Sequence, residues 1–150
     1  MKFPFTYQTG KVDCGVACLK MMVEYYGQSH ELTFLKSKCK VGPKGASMLS
    51  LSKAAETIGL QTRGFKMHLS YLKGMVHQFP LIAYWNTNHF VIVYKTENIR
   101  GKALYHIADP AQGLLTLEES EFARQWTNKR TRKAHSNFGY VLLIRATCPE

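Results

Sequence analysis

Cys14 has the sequence setting of a nucleophile. It lies at the start of an apolar segment that predicts a helix, directly after Asp13, a favoured N-cap residue. The first turn of a helix offers free N–H groups and a positive dipole potential, which lower a cysteine pKa. Gly15 follows and carries no side chain that would block an approaching carbonyl group. These features predict that Cys14 is a reactive thiol.

A nucleophilic cysteine needs an imidazole partner, which can lie far away in the sequence. His89 begins an apolar strand just after a polar stretch, which predicts a position at the rim of a sheet. Asp109 ends another strand before Pro110 and could orient the imidazole. If this hairpin pairs residues whose numbers sum to about 198, His89 and Asp109 lie opposite each other. A purely turn-forming role for Asp109 remains open.

A thiol hydrolase also needs a hydrogen-bond donor for the developing oxyanion, commonly a side-chain amide beside the N–H of the nucleophile. Gln8 precedes Cys14 by six residues, close enough to double back beside the helix start. Gln8, Cys14, His89 and Asp109 together form a complete set for a papain-like thiol hydrolase.

The elements that would position these residues indicate an α+β fold. Helices are predicted at residues 14–26, 31–38, 47–58, about 69–76 and after Glu118, and strands at 81–85, 89–95, 103–108 and 140–145. Because most helices precede the strands, we expect a buried N-terminal helix packed on an antiparallel sheet. The length of 150 residues predicts one domain spanning residues 1–150.

The charge is strongly positive, with 20 Lys and Arg against 10 Asp and Glu and a net charge of +10. This balance favours an anionic partner. The preferred interpretation of the basic run 129–133 is a solvated loop. The alternative is a contact with nucleic acid, an acidic peptide or anionic lipid. A nucleic-acid-binding module is the weaker alternative, because no basic face coincides with a recognised reading element.

Four cysteines are too few for a disulfide scaffold, and the N-terminus does not resemble a signal peptide. We therefore expect free thiols in a reducing compartment and a soluble chain. Inert buried thiols are predicted at Cys18, Cys39 and Cys148. A zinc site from Cys14 and Cys18 with His30 or Cys39 lacks a second close pair, so no metal is predicted.

Four motifs resemble the C39 peptidase family from about residue 6 to about residue 127. They are Gln8-x4-Asp13-Cys14-Gly15-x-Ala17-Cys18-Leu19, Tyr25-Tyr26-Gly27, His89-Phe90-Val91-Ile92-Val93 and Ala108-Asp109-Pro110-Ala111. That family forms the N-terminal cytosolic domain of bacterial ABC exporters that process double-glycine leader peptides. The resemblance implies a papain-like cysteine protease fold with Cys14 as nucleophile, His89 as base, Asp109 as orienting acid and Gln8 as oxyanion donor.

The resemblance also implies a function and its partners. We expect cleavage of a precursor after Gly-Gly or Gly-Ala, with an amphipathic leader helix in an exosite groove and no cofactor. The partners would be the precursor and the membrane and nucleotide-binding domains of an ABC transporter, fused or separate. The location would be the cytoplasmic face of the bacterial inner membrane. A non-cleaving cargo-binding relative is the alternative, although its signature, a missing nucleophile, is not found.

One segment departs from the family pattern. The family usually passes from a Trp-Thr-Gly turn to its final strand, whereas this chain continues from Trp126-Thr127-Asn128 into the basic run 129–133. Since exporters of this kind continue into membrane helices after the last strand, we expect an excised domain or a stand-alone peptidase.

Overall fold

The computed structural model describes residues 3–75, 78–85, 88–127 and 137–146. The helices are α1 (Cys14–Tyr25), α2 (Leu32–Cys39), α3 (Met48–Thr57), α4 (Leu69–Lys73) and α5 (Glu119–Trp126). The strands are β1 (Leu60–His68), β2 (Leu81–Trp85), β3 (His89–Ile99), β4 (Lys102–Asp109), β5 (Gly113–Glu118) and β6 (Phe138–Ala146). The predictions made for Cys148 and for the basic run 129–133 fall outside these described residues.

The six strands form one antiparallel sheet in the order β1-β6-β2-β3-β4-β5. Alternate strand residues face two separate apolar cores. Helices α1, α2 and α3 cover the sheet face that we call the front face, and α4 and α5 cover the back face. The predicted α+β fold with a buried N-terminal helix on an antiparallel sheet is confirmed.

Helix α1 is buried over most of its length because its residues are apolar almost all round. Its solvent-facing edge carries Lys20 and Glu24, whose charged atoms lie 2.8 Å apart. Asp13 is the N-cap residue of α1, as predicted, but its side chain makes no cap hydrogen bond. Its carboxylate instead accepts hydrogen bonds from Thr9 and from Lys36, whose positive charge is the stronger attraction.

The β3–β4 hairpin has a different register from the predicted one. Arg100 and Gly101 form a tight turn with φ of 53° and 81°, as a type I′ turn requires, and Ile99 pairs with Lys102. A bulge at Tyr94 then shifts the pairing, so that the ladder ends at Ile92 and Ala108. The predicted register is wrong because the turn is centred on Arg100 and Gly101, later in the chain than predicted, and His89 is not the backbone partner of Asp109.

Two strands were not predicted. β1 pairs with all of β6, yet most of its residues are exposed and polar, so its sequence lacks the apolar alternation of a half-buried strand. β5 is only six residues long and follows a tight turn after β4. No helix in the described part of the chain is long and apolar enough to cross a membrane.

Candidate active site

The candidate nucleophile lies where the N-terminus of α1 meets the first residues of β3. Cys14 is the first residue of the helix and is 7% exposed. The backbone N–H of Phe90 on β3 points at its sulfur, with 3.5 Å between the nitrogen and Sγ. The thiol therefore faces hydrogen-bond donors while apolar side chains surround the helix that carries it.

His89 links this thiol to a buried carboxylate. Its Nε2 lies 2.6 Å from Oδ1 of Asp109, whose side chain is completely buried. The ring also forms a hydrogen bond with the Cys14 thiol. The structure thus brings Cys14, His89 and Asp109 together as one hydrogen-bonded chain, although none of them is a neighbour in sequence.

Asp109 makes the contacts that both of its predicted roles require. The same Oδ1 that binds His89 also accepts a hydrogen bond of 2.8 Å from the backbone N–H of Ala111. The carboxylate is therefore fixed by the turn that ends β4, and the fixed carboxylate orients the imidazole.

The contacts favour a charged thiolate–imidazolium pair. Burial alone would lower the pKa of His89, but hydrogen bonds to Asp109 and Cys14, together with their charges, raise it to about 9. Burial opposes ionisation of Cys14, yet the hydrogen bond to His89, the backbone N–H groups of Phe90 and Gly15 and the positive imidazolium lower its pKa below the usual value. A thiolate next to an imidazolium is the reactive form of a cysteine hydrolase.

The other described cysteines have the opposite environment. Complete burial raises the pKa of Cys18 well above normal, and the charges of Cys14 and Asp109 raise it further. Burial likewise raises the pKa of Cys39 to about 11. Both are free thiols, as predicted, and neither environment favours a nucleophile.

Gln8 is held close to the loop that follows Asp109. Its backbone N–H donates to the carbonyl of Pro110 at 2.9 Å, and its side-chain Nε2 donates to the carbonyl of Gly10 at 2.8 Å. A primary amide has two N–H hydrogens, so one remains available after the bond to Gly10. Gln8 therefore retains the donor that an oxyanion site requires.

The site includes one contribution that the sequence could not reveal. The N–H donor from Phe90 is a backbone group, and its position depends only on how α1 packs against β3. The Phe90 ring also lines a groove of about 290 Å³ on the front face. The other lining residues are Ala46, Ser47, Met48, Tyr84 and Tyr140. Among the residues that can be described, no group of three or more His, Cys, Asp or Glu side chains could hold a metal ion.

Comparison with known proteins identifies the family. The sequence profile described as the peptidase C39 family matches residues 2–131. The chain belongs to the peptidase C39 family. The C39 chain is 30% identical over 126 residues to the colicin V secretion/processing ATP-binding protein CvaB of Escherichia coli, covering 84% of this chain and 17% of that protein. It is 34% identical over 122 residues to the transport/processing ATP-binding protein ComA of Streptococcus pneumoniae, covering 80% of this chain and 17% of ComA.

Solved structures agree with this assignment. A double glycine motif protease from an AMS/PCAT transporter, crystallised with its leader peptide, has a TM-score of 0.80 and 30% identity, covering 97% of this chain and 93% of that one. The peptidase domain of a Streptococcus ComA has a TM-score of 0.82 over 97% of this chain, and at 20% identity it supports the fold alone. The predicted papain-like fold is confirmed, and the C39 chain is a cysteine peptidase.

Proposed function

We propose that the C39 chain is an endopeptidase that cleaves precursor peptides after a double-glycine leader, at Gly-Gly or Gly-Ala. The observation that carries this proposal is the hydrogen-bonded chain Cys14–His89–Asp109 at the N-terminus of α1. The substrate class is supported by the double glycine motif protease that was crystallised with a leader peptide and is 30% identical to this chain.

In the proposed reaction the Cys14 thiolate attacks the carbonyl carbon of the scissile glycine. A carbon–sulfur bond forms and the carbonyl electrons move to oxygen. When the tetrahedral intermediate collapses, the carbon–nitrogen bond breaks and the His89 imidazolium donates a proton to the leaving amine. Neutral His89 then takes a proton from water, whose oxygen attacks the thioester carbon. The carbon–sulfur bond breaks, the Cys14 thiolate is restored and the leader leaves with a free carboxyl group.

The oxyanion of this intermediate would be stabilised by two donors. The backbone N–H of Cys14 lies at the positive end of the α1 dipole, and Gln8 supplies the Nε2 hydrogen that Gly10 does not use. Asp109 keeps the imidazole oriented and stabilises its cation during the attack. The chain itself supplies every group that this reaction uses, so we propose that it needs no cofactor.

We propose that the front-face groove binds the substrate peptide. Phe90 both lines the groove and donates its N–H to Cys14, so the groove lies beside the residue that contacts the thiol.

The partners are proposed from the relatives. This chain spans 17% of the length of CvaB and of ComA, whose names describe processing together with secretion or transport. We propose that residues 1–150 form one peptidase domain that works at the cytoplasmic face of a bacterial inner membrane. There it would act with the membrane and nucleotide-binding domains of an ABC exporter, either fused to it or separate.

The test is cleavage of synthetic precursors. A precursor with a Gly-Gly junction is incubated with the C39 chain and the products are identified by mass spectrometry, with the Cys14→Ala variant and a precursor carrying leucines at the junction as controls. We expect one cut after Gly-Gly by the wild type alone. Binding without cleavage would favour the cargo-binding alternative, and a cut that survives Cys14→Ala would refute the mechanism.

A further inference from the structure

An ion pair between a buried carboxylate and an exposed lysine lies next to the proposed site and has no role in the proposed reaction. Asp13, the residue before Cys14, is 4% exposed. Its carboxylate oxygens lie 3.1 and 3.3 Å from Nζ of Lys36 on α2 and accept a hydrogen bond of 3.1 Å from the Thr9 hydroxyl. A carboxylate that does not cap its own helix yet is buried with a counter-ion requires another explanation.

The carboxylate packs against the segment that carries Gln8. We call residues 8–13 the Gln8 loop. A Cβ added at Gly10 would lie 3.0 Å from Oδ2 of Asp13, so the carboxylate touches the loop backbone. Thr9, which follows Gln8 directly, donates to the same oxygen. The Asp13 side chain therefore contacts two consecutive residues that connect Gln8 to the helix.

The Gly10 carbonyl joins the two ends of the Gln8 loop. It accepts the side-chain Nε2 of Gln8 at 2.8 Å and the backbone N–H of Asp13 at 3.2 Å. The next residue after Asp13 is Cys14, whose N–H is the second proposed oxyanion donor. Both donors thus depend on the conformation of one short turn, and the Asp13 carboxylate closes that turn.

We propose that Asp13 is a positioning residue: its buried carboxylate, held by Thr9 and Lys36, fixes the Gln8 loop so that the Gln8 amide and the Cys14 N–H converge on the oxyanion. This inference rests on the proposed function of the site. Because the oxyanion develops only in the transition state, a displaced Gln8 lowers kcat and leaves substrate binding largely unchanged. Lys36 takes part through its charge, which links α2 to the active site.

The test is a double-mutant cycle between Asp13→Asn and Gln8→Ala, with kcat and KM measured on a Gly-Gly precursor. Asparagine keeps the size of the side chain and an acceptor for Thr9 but loses the charge that Lys36 binds. We expect Asp13→Asn to lower kcat about 10- to 100-fold with KM changed less than about twofold. In the Gln8→Ala background the same substitution should lower kcat by a clearly smaller factor than in the wild type, since one of the two donors that it positions is already absent.

Matched lysine variants on α2 provide the control. Lys36→Met should reproduce the fall in kcat, and Lys36→Arg should restore most of it. Lys38→Met removes an exposed lysine of the same helix, whose Nζ lies over the Phe34 ring, and should leave kcat unchanged. The rate of Cys14 alkylation by iodoacetamide should also be unchanged by Asp13→Asn, because alkylation of the thiolate develops no oxyanion.

Three results would overturn the inference. If the two substitutions lower kcat multiplicatively, Asp13 does not act through Gln8. If Asp13→Asn slows alkylation as much as cleavage, it acts on the thiol. If it lowers the melting temperature without lowering kcat, the ion pair is only structural. A wild-type chain that cuts no Gly-Gly precursor would instead refute the proposed function, and this inference with it.

Discussion

Two successive turns of α1 each carry a cysteine, and their surroundings give these thiols opposite properties. Cys14 in the first turn receives a hydrogen bond from the N–H of Phe90, whereas Cys18 in the second turn donates its S–H to the Phe90 carbonyl at 3.3 Å. A donor stabilises a thiolate and an acceptor requires the proton to stay on sulfur. One residue of β3 therefore promotes ionisation at Cys14 and opposes it at Cys18.

The contrast shows that burial alone does not decide thiol chemistry. Cys14 is 7% exposed and Cys18 is not exposed at all, yet the pKa of Cys14 is lowered and that of Cys18 is raised. The difference comes from His89 and from the backbone N–H groups of Phe90 and Gly15, which lower the pKa of Cys14 alone.

The largest effect is expected for Cys14→Ala. Removing the nucleophile should abolish cleavage of a Gly-Gly precursor while folding and precursor binding persist, because alanine fits the helix without strain. Mass spectrometry of the products and the melting temperature measure the two properties. If Cys14→Ala still cleaves and Cys18→Ala does not, the nucleophile is Cys18 and not Cys14.

Gln8→Ala tests whether the Gln8 side chain donates a hydrogen bond to the oxyanion that forms at Cys14. We expect kcat to fall about 10²- to 10³-fold with little change in KM, because the donor acts mainly in the transition state. Steady-state kinetics on the same precursor provide both constants. An unchanged kcat would exclude Gln8 from the site.

Asp109→Asn tests whether the negative charge of Asp109 stabilises the protonated form of His89. Since the carboxylate helps to raise the pKa of His89 to about 9, the amide should lower that pKa, and the imidazolium is lost as pH rises through it. The basic limb of the kcat/KM profile should therefore move to lower pH, with a loss of roughly tenfold above about pH 8 and a smaller loss near neutrality. A basic limb that stays in place would show that the Asp109 charge does not act on His89.

Cys18→Ala should have the smallest effect on activity. The substitution removes a buried sulfur and its bond to the Phe90 carbonyl, so we expect a loss of stability on the order of 1 kcal/mol and nearly unchanged kcat. Urea unfolding with parallel kinetics measures both. A large fall in kcat without a fall in stability would mean that the second turn takes part in the chemistry.

The sequence predicted the candidate site best at residues whose type and position allow few roles. Cys14 before Gly15, His89 at a strand start and Asp109 at a strand end predicted the hydrogen-bonded chain that the structure contains. Their roles in the reaction remain predictions. The contact did not depend on the predicted register, because the side chains meet beyond the end of the β3–β4 ladder.

Features that depend on tertiary contacts could not be predicted. The Asp13 carboxylate turns away from its helix because Lys36, which is distant in sequence, offers it a charge. Trp126 packs against the backbone of Gly139 so closely that a Cβ there would lie 2.2 Å from the indole ring. Neither contact can be predicted from the local alternation of apolar and polar residues. The mostly exposed strand β1 also lacks such a pattern.

The most direct test of the contrast is alkylation of the folded chain by iodoacetamide as a function of pH, with each modified cysteine identified by peptide mass mapping. We predict that Cys14 reacts at a pH below the ordinary thiol pKa, where an ordinary thiol is mostly protonated, and that Cys18 and Cys39 stay unmodified. In a His89→Ala variant the reaction of Cys14 should require a higher pH. Modification of Cys18 or Cys39 before Cys14, or a Cys14 rate that rises only near the ordinary thiol pKa, would contradict the thiolate–imidazolium pair.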